Sequence, residues 1–255
     1  MTIFYSIVAF VYGTIFGSFY NVLGERIPEK KPVVMTRSEC PHCKHKLTPI
    51  ELIPIISYVI QGGKCKKCKK KIPVFYPLFE IASGLTFLAV YLSYGFTLQA
   101  LVPLTLLSVF LITIVSDLNY LLILDEVLIP AFVLLVIEML LVEGLGDTIL
   151  HILHGLAAAG IMASIKLMGD FMFKKESMGG GDIKLMFFIG LVLGWPSALM
   201  SVFVASLIGF PISLAVLKYH KTNVIPFGPF LVVAASILLF SGFDIRIFFN
   251  MLVNY

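Results

Sequence analysis

Charged residues are scarce in this chain. Only 13% of its 255 residues are Asp, Glu, Lys or Arg, whereas 59% are hydrophobic. Because a soluble domain usually carries about 25% charged residues, the composition argues against a water-soluble enzyme. The abundance of apolar side chains also excludes a disordered protein. Hydropathy indicates instead a bundle of helices in lipid with one polar insert.

Two sequence signals are also missing. The N-terminal apolar run, residues 3–23, has no basic stretch before it and no clear small-residue cleavage site after it. It is also too long for the apolar region of a signal peptide, so we expect a retained first span. The chain has no glycine-rich dinucleotide-binding fingerprint, so this pattern identifies no residues for a nucleotide-type cofactor.

Eight apolar segments are candidates to cross a bilayer, which takes about 20 residues. They are residues 3–23, 76–94, 98–116, 127–141, 148–168, 183–193, 197–217 and 227–251. The sixth is short, and it is either a half-span or continues past the break at Gly194-Trp195-Pro196. The sequence predicts an all-α polytopic membrane protein with about eight transmembrane helices and a small zinc-ribbon-like cytoplasmic insert. The predicted domains are a first helix (1–23), the cysteine-rich insert (24–75) and the remaining bundle (76–255).

Positive charge is concentrated in one loop. Between Glu25 and Lys71 the chain has twelve Lys or Arg residues and four acidic residues. Basic loops are retained in the cytoplasm. With this loop on the cytoplasmic side, threading the eight spans leaves only Arg246, of 19 basic residues, near the opposite face. Nucleic-acid binding is the alternative, but a loop between apolar segments favours contact with lipid, so no nucleic-acid partner is expected.

All four cysteines lie in this loop, as Cys40-Pro-His-Cys43 and Cys65-Lys-Lys-Cys68. Two such pairs at this separation suit one tetrahedral Zn²⁺ bound by four thiolates. Two disulfides and a metal-free loop are the alternatives, and the reducing cytoplasm disfavours the disulfides. A four-cysteine shell leaves no open position for catalysis, so we expect a structural zinc that orders a loop with few apolar residues.

Two aspartates stand at the ends of apolar segments. Asp117 closes the third, and Asp182 follows Gly179-Gly180-Gly181 at the start of the sixth. The same threading brings both to the cytoplasmic boundary, where acidic residues are functional candidates. If their carboxyl groups lie about 4 Å apart, the repulsion is roughly 4 kcal/mol at an effective dielectric of 20, so one keeps its proton. The charged carboxylate can then deprotonate water while the neutral one protonates an amide carbonyl.

Other interpretations of these residues stay open. The glycines fit a flexible hinge with Asp182 as a helix N-cap, and Asp117 fits an interfacial helix end. A non-enzymatic transporter or zinc-regulated channel is a second hypothesis, although it would place acids at mid-membrane depth rather than near span ends. A scaffold whose basic loop recruits a partner is the third.

Several segments together resemble one family, the prepilin peptidases, also called type IV leader peptidases, which are membrane aspartyl proteases of the GxGD type. They follow the family's order and cover the chain almost end to end. The segments are Gly17-Ser18-Phe19-Tyr20-Asn21-Val22 with Arg26-Ile27-Pro28; Cys40–Cys43; Leu52-Ile53-Pro54 with Ser57-Tyr58; Cys65–Cys68 followed by Tyr76-Pro77 and Glu80; Ser116-Asp117-Leu118; Gly179–Leu185; and Pro226-Phe227-Gly228-Pro229.

The resemblance implies a multi-pass protease of the bacterial inner (cytoplasmic) membrane with its active site at the cytoplasmic face. Such enzymes remove the short basic leader of type IV prepilin or pseudopilin precursors. The family's catalytic pair corresponds here to Asp117 and Asp182. Many members also methylate the new N-terminus with S-adenosylmethionine, an activity associated with the cysteine-rich region.

One departure from the family and three further residues complete the candidates. The family often has proline before a second aspartate, but this chain has Ile123-Leu124-Asp125, which makes Asp125 a rival for the first catalytic position. Glu80, Asn21 and Arg26 resemble family positions and are candidates to bind substrate or cofactor, as are Gly179, Gly180 and Gly181. An interfacial cap or anchor is the alternative for Asn21 and Arg26, and contact with headgroups is the alternative for Glu80.

Overall fold

The computed structural model describes residues 2–34, 36–176, 178–220 and 225–242. In these ranges the regular structure is helical, without β-strands beyond two isolated bridges. Short 3₁₀ turns lie at Pro49–Leu52 and Leu98–Ala100. The helices are α1 Thr2–Arg26, α2 Ile56–Ile60, α3 Phe75–Tyr94, α4 Leu101–Tyr120, α5 Asp125–Val142, α6 Leu145–Phe173, α7 Gly180–Leu193, α8 Trp195–His220 and α9 Gly228–Ser241.

Several helices are long and apolar enough to cross a membrane. Within the described ranges there are five such segments: Thr2–Arg26, Phe75–Tyr94, Leu98–Tyr120, Leu145–Phe173 and Trp195–Val216. The expected helical, multi-pass membrane protein is therefore confirmed.

The count of about eight spans is not confirmed and stays a prediction. Each predicted span overlaps one of α1 and α3 to α9, but α7 and α9 have only 14 residues each. At 1.5 Å per residue such a helix is about 21 Å long, shorter than a hydrocarbon core of about 30 Å. Residues 243–251 of the last predicted span, including Arg246, lie outside the described residues.

A glycine separates α7 from α8. Gly194 has φ +81°, a backbone conformation that glycine adopts without steric cost, and its N–H donates to the carbonyl of Gly190 at 3.0 Å. Helix α7 ends before it at Leu193, and α8 begins after it at Trp195. The idea that the sixth span continues past this break is therefore wrong.

The chain divides into two compact units, Met1–Phe96 and Thr97–Tyr255. The first contains α1, the cysteine-rich insert and α3, and the second contains α4 to α9. The domain boundaries expected from the sequence, after residues 23 and 75, stay a prediction.

In the first unit, α1 and α3 pack through small residues. A Cβ added to Gly13 would lie 2.8 Å from Cα of Gly84, and one added to Gly17 would lie 2.6 Å from Cβ of Ser83. The Ser83 hydroxyl donates to the carbonyl of Gly13 at 2.7 Å. Small residues four apart and a cross-helix hydroxyl bond are typical of helix pairs in lipid, where close backbone approach replaces the hydrophobic effect.

In the second unit, α4 is the most deeply buried helix. Leu106 and Val115 have no exposed surface, and Thr105 donates to a carboxylate oxygen of Glu138 on α5 at 2.9 Å. Helices α6 and α7 again approach at glycine, since a Cβ on Gly190 would lie 2.6 Å from Cβ of Ala158. This packing fixes the cores of α4 and α7, whose ends carry the two candidate aspartates.

Candidate functional site

Asp117 lies in the last turn of α4. This helix ends because Leu121 takes a left-handed conformation (φ +56°), in which its N–H donates to the carbonyl of Asp117 at 3.0 Å. The Asp117 side chain is buried, with 7% of the residue surface exposed. An acidic residue buried at a helix end is costly unless its environment provides partners.

Asp182 lies in the first turn of α7. Gly179 is the N-cap of this helix, so the alternative that Asp182 is itself the N-cap is wrong. The Asp182 residue is 9% exposed, and its carboxyl group interacts electrostatically with that of Asp117. The structure therefore brings together two carboxyl groups that are 65 positions apart in sequence.

Gly228, the first residue of α9, closes over Asp117. Its backbone N–H donates to the Asp117 carboxylate, and a Cβ added here would lie 2.5 Å from Oδ2. Sequence reasoning gave Gly228 no role. Its only signal was the segment Pro226-Phe227-Gly228-Pro229, one of those that resemble the family.

Of the three glycines before Asp182, Gly181 is in the tightest place. A Cβ added to Gly181 would lie 2.7 Å from Cδ1 of Ile123, in the turn that follows α4. A Cβ added to Gly180 would meet nothing within 4 Å, and one added to Gly179 would lie 3.9 Å from Oδ2 of Asp182. Close packing at Gly181 lets the turn after α4 approach the start of α7.

Asp125 has a different environment from Asp117. It is exposed at the start of α5, and both of its carboxylate oxygens accept from Nζ of Lys184, at 2.6 and 2.8 Å. This ion pair crosses from α5 to α7. The negative charge of Asp125 is thus balanced by Lys184, whereas the charged group that acts on Asp117 is the Asp182 carboxyl.

The four cysteines meet at one point. Their Sγ atoms all lie within 4.8 Å of one another, with 3.8 Å between Cys40 and Cys68 and 3.9 Å between Cys43 and Cys65. A tetrahedral ion with Zn–S bonds of 2.3 Å would place its sulfurs about 3.8 Å apart. All four thiols are free, so the expected convergence of the four cysteines is confirmed and the disulfide alternative is not supported.

The two cysteine pairs adopt the same local structure, 25 residues apart. We call residues 39–46 the first knuckle and residues 64–71 the second knuckle. Each is closed by an isolated bridge, Glu39 with Lys46 and Lys64 with Lys71. Each also has a lysine of positive φ directly after its second cysteine, Lys44 at 56° and Lys69 at 60°.

Backbone amides in the knuckles favour the thiolate form at Cys40 and Cys65, whereas burial and the neighbouring sulfurs raise the pKa of Cys43 to about 11. The N–H of Cys43 lowers the pKa of Cys40 to about 6, and the N–H of Cys68 lowers the pKa of Cys65. Thiolate is the form of cysteine that binds metal. The chemistry of the donor set therefore fits the ion that the spacing predicted.

Glu80 and Arg26 make contacts within the first unit. Glu80, buried in α3, accepts the N–H of Ile55 at 2.7 Å and holds that residue at φ +62°, a costly conformation for a β-branched side chain. The Nη1 of Arg26 donates to the carbonyls of Pro32, Val33 and Thr36. Arg26 therefore anchors the start of the insert.

Asn21 has no partner in the part of the chain that the structure describes. It is 3% exposed on the face of α1 that packs against α3, and neither Oδ1 nor Nδ2 makes a hydrogen bond. A buried amide without partners is rare and calls for an explanation. Both roles considered for Asn21, ligand binding and an interfacial cap, stay predictions.

Two protein-family models match this chain. A model described as the bacterial peptidase A24 N-terminal domain matches residues 11–94, and one described as the type IV leader peptidase family matches residues 104–214. A prepilin leader peptidase/N-methyltransferase of Bacillus subtilis strain 168 is 34% identical over 91% of this chain and 92% of its own length. The chain belongs to the type IV leader peptidase family.

Other relatives in this family agree. Proteins with the same description are 31% identical in Pseudomonas aeruginosa, over 90% of this chain and 88% of the relative, and 29% identical in Aeromonas hydrophila, over 94% and 91%. No solved structure matches. The resemblance noted in the sequence is confirmed, and with it the expectation that the chain is a peptidase rather than a transporter or a scaffold.

Proposed function

We propose that this protein cleaves the leader peptide from type IV prepilin-like precursors, with Asp117 and Asp182 as its catalytic pair. The relatives are described as prepilin leader peptidases. The observation that carries the proposal is the buried, electrostatically interacting pair of carboxyl groups at the ends of α4 and α7. These groups need no serine or cysteine nucleophile, because a carboxylate can activate water directly.

The chemistry divides between the two carboxyl groups. Two carboxyl groups that repel each other in a buried place do not both ionise easily, so one is charged and one is protonated. The charged group takes a proton from water, which attacks the carbonyl carbon of the scissile amide. The protonated group donates to the carbonyl oxygen, and the proton taken from water goes to the leaving amine. The N–H of Gly228 holds the Asp117 carboxylate for this exchange.

Asp117, and not Asp125, is the first member of the pair in this proposal. Asp125 is exposed and bound to Lys184, so its charge is already balanced. Its proposed role is to tie the start of α5 to α7. Gly181 serves the same end by packing on Ile123, and the open space at Gly180 leaves room for the substrate backbone.

We propose zinc as the metal of the cysteine cluster, with a structural role. The sulfur separations suit Zn²⁺, and four protein ligands leave no coordination position for a substrate. The ion would be held by Cys40, Cys43, Cys65 and Cys68 and would fold the insert around itself. Binding of this kind supplies on the order of 10 kcal/mol to small metal-stabilised domains.

N-methylation of the new N-terminus is the second proposed activity, since the relatives are also described as N-methyltransferases. S-adenosylmethionine would supply the methyl group. Asn21 fits such a ligand best, because its buried amide has both a donor and an acceptor to offer. Glu80 offers a carboxylate to a positively charged ligand, whereas Nη1 of Arg26 is already bound to the insert backbone.

The proposed location is the bacterial inner membrane, with the insert and the aspartates at the cytoplasmic face. The excess of Lys and Arg in the insert supports this orientation.

Mass spectrometry of a purified precursor incubated with the purified protein tests both activities. Loss of the leader mass shows cleavage, and a further gain of one methyl group only when S-adenosylmethionine is added shows methylation. A precursor mass that never changes would refute the proposed function.

A further inference from the structure

The insert between α1 and α3 is tied to the membrane at both ends. The two helices pack antiparallel, since Gly17 lies beside Ser83 and Tyr76 donates to Glu25 at 2.8 Å. The chain therefore leaves α1 and enters α3 on the same side, and both helices are candidate spans. Both ends of the insert are consequently held at the same membrane boundary.

The second knuckle has an excess of positive side chains. No acidic residue occurs between Glu51 and Glu80, and among the described residues none of the knuckle's lysines forms a salt bridge. Its six lysine side chains are all exposed: Lys64, Lys66, Lys67, Lys69, Lys70 and Lys71. The first knuckle differs, because Nζ of Lys44 lies 3.0 Å from Oε1 of Glu39.

Several exposed aliphatic side chains lie in the stretch of residues 50–60, which precedes the second knuckle in sequence. Ile50 is 73% exposed, Val59 69% and Ile60 75%, and Ile56 is exposed as well. A soluble surface rarely presents so many large aliphatic groups in one short stretch, and such patches mark contacts with proteins or membranes.

One aromatic residue joins the aliphatic stretch to the second knuckle. The Tyr58 hydroxyl of α2 donates to the carbonyl of Ile72 at 3.4 Å. A Cβ added to Gly63 would lie 2.8 Å from that hydroxyl, which shows how closely the ring covers the turn. Helix α2, with its aliphatic side chains, therefore packs against the second knuckle, with its lysines.

We propose that Ile50, Ile56, Val59, Ile60 and the six lysines form a basic–apolar surface that binds the anionic headgroups of the surrounding bilayer. Aliphatic side chains settle at the boundary of headgroups and acyl chains, and lysines pair with anionic lipids. Each lysine near such a surface favours the bound state about fivefold. A bilayer is the occupant because the two spanning helices hold this surface at a high effective lipid concentration.

A single tryptophan tests the proposal. The chain has one tryptophan, Trp195, so Val59→Trp in a Trp195→Phe background gives a probe on this surface alone. The full chain is placed in nanodiscs of phosphatidylcholine with increasing phosphatidylglycerol, and quenching by lipids brominated near the top of the acyl chain is measured. We expect quenching that rises with the anionic fraction. A probe at exposed His42 of the first knuckle should remain unquenched.

The two knuckles supply a matched pair of charge variants. Lys69→Gln with Lys71→Gln should weaken docking of the second knuckle about 25-fold, from about fivefold per lysine. The equivalent first-knuckle pair, Lys44→Gln with Lys46→Gln, should leave it unchanged. Equal effects of the two pairs, or no lipid quenching of the residue-59 probe, would overturn the proposal. Hydrogen exchange of residues 50–71 in the unsubstituted chain checks the same point: anionic nanodiscs should slow it, and equal rates in neutral nanodiscs would contradict docking.

Discussion

Gly228 and Asp117 are in direct contact, with the backbone N–H of the first residue of α9 donating to the carboxylate in the last turn of α4. This contact has no room for a side chain, because a Cβ at residue 228 would lie 2.5 Å from Oδ2. The position of one proposed catalytic group therefore depends on a glycine that is 111 residues away in sequence.

Gly228→Ala should reduce kcat for leader cleavage by about 100-fold, since a displacement of about 1 Å at a reacting group has an effect of this order. The measurement is cleavage of a precursor peptide by the purified protein. Gly160→Ala in α6 is the control, because its Cβ would meet nothing within 4 Å. Equal activity of the two variants would show that the contact with Asp117 is not needed.

Gly181→Ala and Gly180→Ala should affect different kinetic constants, kcat and KM respectively. The first forces a Cβ against Ile123 and should lower kcat by moving α7 and with it Asp182. The second meets nothing in the chain and should leave folding intact but raise KM, because the open space is proposed for the substrate. Ile123→Ala, which removes Cδ1 and Cγ1, should partly restore the Gly181 variant. Failure of that rescue would count against the packing explanation.

Asp125→Asn should retain most of the cleavage activity. It removes an exposed ion pair with Lys184, and exposed pairs contribute about 0–1 kcal/mol to stability. Cleavage rate and thermal midpoint, compared with those of Lys184→Gln, check this. An inactive Asp125 variant beside an active Lys184 variant would make Asp125, not Asp117, the first catalytic residue.

Removal of the metal should affect the insert before it affects cleavage. Chelation removes the ion, and Cys65→Ser leaves three of its four thiolates, so in both cases hydrogen exchange in residues 38–72 should rise sharply. Because the proposed cleavage chemistry uses no metal, cleavage should persist while methylation falls. Zinc content by elemental analysis is the companion measurement. A preparation that binds no zinc yet protects the insert equally well would refute the structural role.

The cysteine cluster and the positions of the helices could be predicted from the sequence, because they depend on short residue spacings and on hydropathy along the chain. The two Cys-x-x-Cys pairs predicted the cluster, because the chain's four cysteines all lie in one loop and can converge without help from distant helices. The apolar runs predicted the positions of the helices, and threading them through a bilayer placed Asp117 and Asp182 at the same boundary. Those predictions rest on local geometry and on the side of the membrane.

Features set by packing between distant helices could not be predicted. Nothing in residues 226–229 indicates that Gly228 touches Asp117, and only the tertiary fold reveals it. Hydropathy left two alternatives for the short sixth segment, and only the backbone shows that α7 ends at Leu193, before Gly194. The sequence left Arg26 with two roles, because a charge at a helix end has the same pattern whether it binds a ligand or backbone carbonyls.

The most direct test of the account is the mass of a precursor after incubation with Asp117→Asn and with Asp182→Asn, each first shown to insert, fold and hold its metal. The account predicts that both variants leave the leader attached, while Asp125→Asn removes it. Release of the leader by either the Asp117 or the Asp182 variant would contradict the two-aspartate mechanism.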